Sequence, residues 1–90
     1  MAILYKDLVD LMTSLGFRDE SVPGSHRAFR HAGSGTLILF SPLSHDEAIV
    51  RDEDLVSVRR HLVEKGLVRI RDFDRFLATR ARRPGEGIPD

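Results

Sequence analysis

Histidine is the residue type in this chain best suited to proton transfer near neutral pH, because its unperturbed pKa lies close to physiological values. The 90 residues contain four histidines: His26, His31, His45 and His61. No two of them have a spacing that, together with nearby carboxylates, predicts a metal site. The chain has no cysteine, so thiol catalysis, disulfides and zinc–thiolate sites are excluded. We therefore expect any chemistry to proceed without a metal ion or another cofactor.

His26 follows a predicted Pro-Gly turn and lies near the start of a predicted strand, residues 25–31. Its neighbour Ser25 is not expected to act with it as a nucleophile pair, because successive side chains of a strand point to opposite faces. Phe29 is the only large apolar residue of this strand, so its face should meet the helices. That arrangement leaves His26 and Arg30 on the open face of the sheet.

An imidazole on the same sheet face as a guanidinium suits RNA cleavage without a metal. Such cleavage requires a proton to be taken from the ribose 2′-hydroxyl and another to be given to the leaving 5′-oxygen, and histidine can do both. Arg30 or Arg27 would hold the phosphate and oppose the charge that grows on it. His45 is a candidate for the second proton carrier if its loop folds back over the sheet. The alternative is that His26 is an exposed polar residue with no chemical role.

The elements that must position these residues follow from the hydrophobic pattern. Apolar residues with helical spacing between Leu4 and Leu15 predict a first helix, and Gly16 follows where a left-handed cap residue is wanted. The run from Thr36 to Phe40 is the most strand-like segment and is apolar on both faces, so something should cover both faces. The predicted order is α-β-β-β-α-α, with helices at 3–15, about 52–65 and 72–79, strands at 17–22, 25–31 and 36–41, and a disordered tail at 80–90.

Charges are unevenly distributed, although the net charge is zero. Residues 46–54 hold five acidic residues and a single Arg, whereas residues 59–83 are strongly basic. A neutral total argues against a general nucleic-acid binder, but the basic C-terminal third is compatible with a local phosphate-facing surface. The alternative is that these charges only solvate helix faces. Asp52 or Asp54 is expected to cap the second helix.

The N-terminal segment is unlike a targeting sequence, because Asp7 and Asp10 interrupt its first apolar stretch. A signal peptide or a membrane-spanning helix is therefore not expected. The composition fits a protein of the reducing cytoplasm with no membrane partner.

Several segments together resemble the HicA (YcfA-like) toxin family. The stretch Leu15–Phe17 is similar to the helix end and Gly-aromatic pair with which that family opens, and Gly-Ser-His within Pro23–His31 is similar to the motif that follows it. His45 is similar to a histidine often found just after the family's apolar strand. Residues 58–67 are similar to its closing helix, which ends in a Gly-Leu pair. The resemblance covers roughly residues 3–67.

The resemblance implies an α+β fold like the double-stranded-RNA-binding domain, α-β-β-β-α, with helices packed on one face of a three-stranded antiparallel sheet and here an extra C-terminal helix. Residues 1–79 would form a single domain, and 80–90 a flexible tail. The implied function is the mRNA interferase of a type II toxin–antitoxin system, a metal-independent endoribonuclease with His26 as its catalytic residue. Its partners would be mRNA and a HicB-like antitoxin, and a homodimer is left open. The implied RNA-binding residues are Gly24, Ser25, Arg27, Arg30 and His45.

Two other interpretations remain open. The acidic segment 46–54 is longer than the family's usual connection and would repel RNA. That departure favours a protein that keeps the HicA fold and binds a protein or RNA without cleavage. The third interpretation is a DNA-binding domain of winged type, although no helix-turn-helix pair precedes the predicted hairpin.

Overall fold

The computed structural model describes residues 2–81 and has an α+β architecture. Its three strands form one antiparallel sheet in the order β1-β2-β3. This result confirms the predicted class and the predicted order of elements. The elements are α1 (Tyr5–Ser14), β1 (Phe17–Asp19), β2 (Arg27–His31), β3 (Thr36–Phe40), α2 (Asp52–Glu64) and α3 (Ile70–Arg80).

One face of the sheet is buried and the other is open. Residues Phe29 and Ile38 are opposite each other on β2 and β3, and both are buried. Their neighbours Arg30 and Leu37, also a cross-strand pair, are exposed. The alternation follows from the period of two in a strand. The buried set joins apolar residues of the three helices in a single core: Ile3, Tyr5, Leu8, Met12, Phe17, Phe29, Ile38, Phe40, Val50, Val58, Leu62 and Phe73.

The start of α1 is fixed by the loop that follows β3. The Tyr5 backbone N–H donates to the Ala48 carbonyl at 2.9 Å, and the Lys6 N–H donates to the Asp46 carbonyl at 3.0 Å. These carbonyls satisfy N–H groups that have no partner within the helix. The end of α1 is as predicted: Gly16 has a φ of 100°, a conformation that side chains other than glycine adopt rarely.

The prediction that Asp52 or Asp54 caps α2 is wrong. The N-cap residue is Arg51, and it makes no side-chain capping bond. Instead the Tyr5 hydroxyl accepts the Arg51 backbone N–H at 3.3 Å and donates to the Asp54 carboxylate at 2.5 Å. Burial and the hydrogen bond to Asp54 raise the pKa of Tyr5 above its usual value. A tyrosine from the first helix therefore contacts the start of α2 through the Arg51 backbone and the Asp54 side chain.

The C-terminal helix is longer than predicted at both ends. It begins at Ile70, which is exposed, and it includes Arg80. The Arg80 guanidinium is 3.2 Å from the buried Asp7 carboxylate of α1, so residue 80 belongs to the folded unit and not to a tail. Ala81, also part of the predicted tail, packs against the core, and residues 82–90 lie outside the described residues. No helix within residues 2–81 has the length and apolar character needed to cross a bilayer.

The outer face of β3 differs from expectation. We expected both of its apolar faces to be covered, but Leu37 is 40% exposed and Leu39 is 53% exposed. The helices cover the opposite face, where Ile38 and Phe40 are buried. No element within residues 2–81 therefore covers the outer leucines.

Candidate functional site

The predicted Pro-Gly turn lies directly before His26. The Ser25 backbone N–H donates to the Val22 carbonyl at 3.0 Å, and Gly24 has a φ of 80°. Proline at the second position and a positive φ at the third are the features of a type II turn. Gly24 and Ser25 are both exposed, so this turn presents backbone and hydroxyl groups to solvent.

His26 lies just before β2, not inside it as predicted, since the strand begins at Arg27. The imidazole is exposed, as expected, and forms no hydrogen bond with residues 2–81. Arg27 is opposite Phe40 in the sheet, and one further step of this register places His26 opposite Ser41. The ring is therefore accessible at the end of the sheet where β2 begins and β3 ends.

Arg27 connects the start of β2 to the loop after β3. Its Nη1 atom donates to the Ser44 carbonyl at 2.7 Å and to the Asp46 carboxylate at 3.1 Å. The guanidinium carbon lies 5.3 Å from the centre of the Phe29 ring, on the inner side of the strand. Both hydrogen bonds use the same nitrogen, so Nε and Nη2 keep donors that have no partner within the described part of the chain.

The Arg27 contacts also determine where His45 lies. His45 is exposed and stands between Ser44 and Asp46, the two residues that Arg27 binds. The loop is thus hydrogen-bonded to Arg27, the residue that directly follows His26. His26 and His45 are therefore two exposed histidines at the same end of the sheet, each next in sequence to a residue that takes part in the Arg27 contacts.

Arg30 lies too far along the strand from His26 for both residues to contact the same phosphate group. The two residues are four positions apart, which is roughly 13 Å of extended chain. The Arg30 Nε atom donates to Glu20 at 2.9 Å in an exposed ion pair. Arg18, which sequence reasoning missed, is opposite Arg30 on β1 and is exposed on the same face. The alternation of β1 is the signal that would have identified it.

His31, at the other end of β2, is held by its surroundings. Its Nδ1 atom accepts the Ser34 backbone N–H at 3.1 Å and is 2.9 Å from the Ser34 hydroxyl. The ring packs 5.2 Å from the centre of the Phe17 ring. A Cβ placed on Gly16 would be 3.3 Å from its Nε2 atom, so Gly16 leaves room for the ring. His31 is therefore a residue of the hairpin end of β2, held by local contacts.

Four of the five carboxylates in the acidic segment 46–54 form ion pairs or hydrogen bonds with other side chains. Asp46 pairs with Arg27, and Glu47 lies 3.2 Å from the Lys6 ammonium. The Glu53 carboxylate pairs with Arg51, and Asp54 accepts the Tyr5 hydroxyl. Most of this acidity is therefore compensated within the chain. No local sequence signal predicts the Arg27–Asp46 pair, because the two residues are 19 positions apart.

A small pocket of about 150 Å³ lies at the same end of the sheet. It lies between the loop and the start of α1. Its lining residues are Tyr5, Ser41, Leu43, Ser44, Ala48, Ile49 and Arg51.

Comparisons with known proteins identify no relative of this chain. The chain has no significant match to a protein-family model, a curated protein or a solved structure. Within residues 2–81, no three His, Asp or Glu side chains are grouped as ligands for a metal ion.

Proposed function

We propose that this chain is a HicA-like toxin that binds RNA and cleaves it without a metal ion, with His26 as the catalytic residue. The observation that carries the proposal is the pair of exposed histidines, His26 and His45, at the end of the sheet where Arg27 joins the start of β2 to the loop after β3. The three-stranded antiparallel sheet with one face left open is compatible with the dsRBD-like topology of that family.

The chemistry needs two proton transfers and one exchange at phosphorus. One imidazole takes the proton of the ribose 2′-hydroxyl, and the 2′-oxygen attacks the adjacent phosphorus. The bond from phosphorus to the 5′-oxygen breaks, and the second imidazole donates a proton to that oxygen. The products are a 2′,3′-cyclic phosphate and a 5′-hydroxyl end. His26 and His45 are the two imidazoles at this site.

Arg27 would stabilise the charge that develops on the phosphate. Its Nε and Nη2 donors have no partner within the described residues, while Ser44 and Asp46 hold Nη1 in place. A guanidinium that is already oriented requires little rearrangement during the reaction. Arg18 and Arg30, farther along the open face, would contact neighbouring phosphates, because the exposed Arg30–Glu20 pair is weak enough to exchange for one. Gly24 and Ser25 would meet the backbone of the RNA at the turn.

The proposal extends to the cellular setting. A toxin of this kind acts on mRNA in the cytoplasm and requires a HicB-like antitoxin. Such an antitoxin would cover His26 and His45 at the open end of the sheet.

The test is induction of the chain in a bacterium, with growth and RNA integrity as readouts. We expect growth arrest and RNA decay with the wild type, and neither with His26→Ala at equal protein level. His61→Ala is the matched control, because His61 lies on α2 with its Nδ1 2.8 Å from the Ser57 carbonyl of its own helix. Equal arrest by wild type and His26→Ala would contradict the proposal.

A second candidate function is a non-catalytic interaction module with the same fold. The observation that favours it is the exposure of Leu37 and Leu39 on the open face. This candidate predicts no RNA decay from any variant, together with binding that depends on the leucines and not on His26.

A further inference from the structure

Strand β3 is an edge of the sheet, and its outward backbone groups can be identified. In β2, the Ala28 carbonyl accepts the Glu20 N–H at 2.8 Å, and the Ala28 N–H donates to the Ser21 hydroxyl at 3.0 Å. Ala28 therefore points its backbone groups away from β3, and the residues on either side of it point theirs toward β3.

The register then assigns the groups of β3. Phe29 is opposite Ile38, so Ile38 bonds to β2, as do the residues two positions away. Leu37 and Leu39 must direct both N–H and C=O away from the sheet. Neither residue forms a hydrogen bond outside the ladder within residues 2–81. Each copy thus offers two donors and two acceptors along this edge.

This edge also lacks the usual protection. Sheet edges in folded proteins commonly carry charges, bulges or a covering element that prevents pairing with another chain. Residues 32–44 contain no charged side chain, although 31% of the whole chain is charged. The two residues with free backbone groups, Leu37 and Leu39, are also the ones whose side chains are exposed.

We propose that two copies of the chain pair through antiparallel β3 strands. This pairing joins their two three-stranded sheets into a single six-stranded sheet. With a twofold axis beside Ile38, Leu37 of one copy faces Leu39 of the second copy. Two N–H and two C=O groups from each copy then form four hydrogen bonds. The leucines come together on the open face, which accounts for the apolar outer side of β3.

The occupant is a second copy because the edge is self-complementary. The residues with free groups are symmetric about Ile38, so the same residues serve both sides of the axis. No like charges meet, because the segment on each side of the axis is uncharged from residue 32 to residue 44. A short strand pair buries less than the ~1,200 Å² of a typical stable interface, so we expect a dissociation constant above about 1 μM. His26 and the open end of the sheet remain accessible in this arrangement.

Amide hydrogen exchange at increasing protein concentration tests the pairing, with sedimentation equilibrium for the mass. The Leu37 and Leu39 amides should exchange at least threefold more slowly at high concentration, as the mass approaches that of a dimer. The Ile38 and Phe40 amides, which bond to β2, are internal controls and should not change. Concentration-independent exchange at all four amides with a monomeric mass would overturn the proposal and leave the edge to a strand of another protein.

Charged variants locate the contact. Leu37→Lys with Leu39→Lys should remain monomeric at a concentration ten times higher than that at which the wild type dimerises. Val22→Lys with Val56→Lys is the matched control, because both valines are exposed and lie outside β3. If the control pair abolished dimerisation and the β3 pair did not, a different surface would be responsible. RNA cleavage is not a readout here, so failure of this proposal is separate from failure of the proposed nuclease.

Discussion

The two ends of strand β2 carry a histidine each, and they differ in what surrounds the ring. His31, at the hairpin end, packs on Phe17 and accepts a hydrogen bond from Ser34. His26, at the other end, is exposed and has no hydrogen-bond partner within residues 2–81. The partners of His31 restrain its ring, whereas the ring of His26 is free to meet a substrate. Residue type alone therefore does not distinguish the exposed histidine from the restrained one.

The two ends also differ in the sequence range of their contacts. The His31 end includes a hydrogen bond to a residue only three positions away, which closes the hairpin. The open end is assembled by Arg27, which reaches Ser44 and Asp46 across 17 and 19 residues. Tyr5 secures the same loop from 46 residues away, through the Arg51 backbone. The hairpin end is therefore local structure, and the open end depends on tertiary structure.

The largest expected effect is on catalysis at the open end. His26→Ala should lower the rate of RNA cleavage by the purified protein at least 100-fold, since general acid–base groups contribute about 10²–10⁴-fold. Its free energy of unfolding should stay within about 0.5 kcal/mol of wild type, as for an exposed residue. Cleavage assays and urea titration measure the two quantities. A His26→Ala variant that lost stability and kept its cleavage rate would show that His26 supports the fold and not the chemistry.

The next largest effect is on stability at the hairpin end. His31→Ala removes the ring from Phe17 and leaves the Ser34 N–H without its acceptor. We expect the free energy of unfolding to fall by about 2 kcal/mol, from lost packing and an unsatisfied donor. Urea titration is the measurement, and His26→Ala is the matched control. Equal stabilities of the two variants would show that the packing around His31 contributes nothing.

Tyr5→Phe tests the tertiary support of the open end. The change removes the acceptor for the Arg51 N–H and the donor to Asp54, and should lower the free energy of unfolding by about 1–2 kcal/mol. Because folding raises the pKa of Tyr5, its contribution is fully present below the unfolded-state pKa, near 10, and is lost as pH rises through the folded-state pKa. Titration of stability from neutral to alkaline pH should show this loss in wild type and not in Tyr5→Phe. Parallel curves would contradict the assignment.

The smallest effect concerns the connection that leads from β1 to His26. Hydrogen bonds from the Ser21 side chain and backbone lower the pKa of Asp19. The stability from this carboxylate is present above its unfolded-state pKa, near 3.9, and is lost as pH falls through the lower folded-state pKa. Asp19→Asn should remove this acid dependence and change stability at neutral pH by less than about 0.5 kcal/mol, since the site is exposed. A larger loss of stability at neutral pH would show that the Asp19–Ser21 hydrogen bonds contribute substantially to the folded state.

Local patterns predicted most of the fold. Helical spacing and Gly16 defined α1, and the alternation of β2 placed Phe29 on the buried face and Arg30 on the exposed face. The exposure of His26 was also predicted, although this residue precedes the strand. The open end could not be predicted, because the bonds of Arg27 to Asp46 and of Tyr5 to Asp54 join segments that are distant in sequence. The acidic loop consequently looked like a barrier to RNA, whereas in the structure most of its carboxylates have partners in the chain.

The outer face of β3 shows a different limit. The sequence pattern predicted a cover for Leu37 and Leu39, but no element within residues 2–81 covers them. Hydrophobic patterning indicates that a surface is to be buried, and it does not indicate which molecule buries it.

The chemistry of the cut ends tests the central claim most directly. A single-stranded RNA should be incubated with the purified protein in a metal chelator, and the ends of the products identified by mass spectrometry. We predict 2′,3′-cyclic phosphate and 5′-hydroxyl ends from the wild type, no cleavage by His26→Ala, and no cut at a nucleotide that carries a 2′-deoxy substitution. Products with 3′-hydroxyl and 5′-phosphate ends, or equal cleavage by His26→Ala, would contradict an imidazole-driven attack by the 2′-hydroxyl.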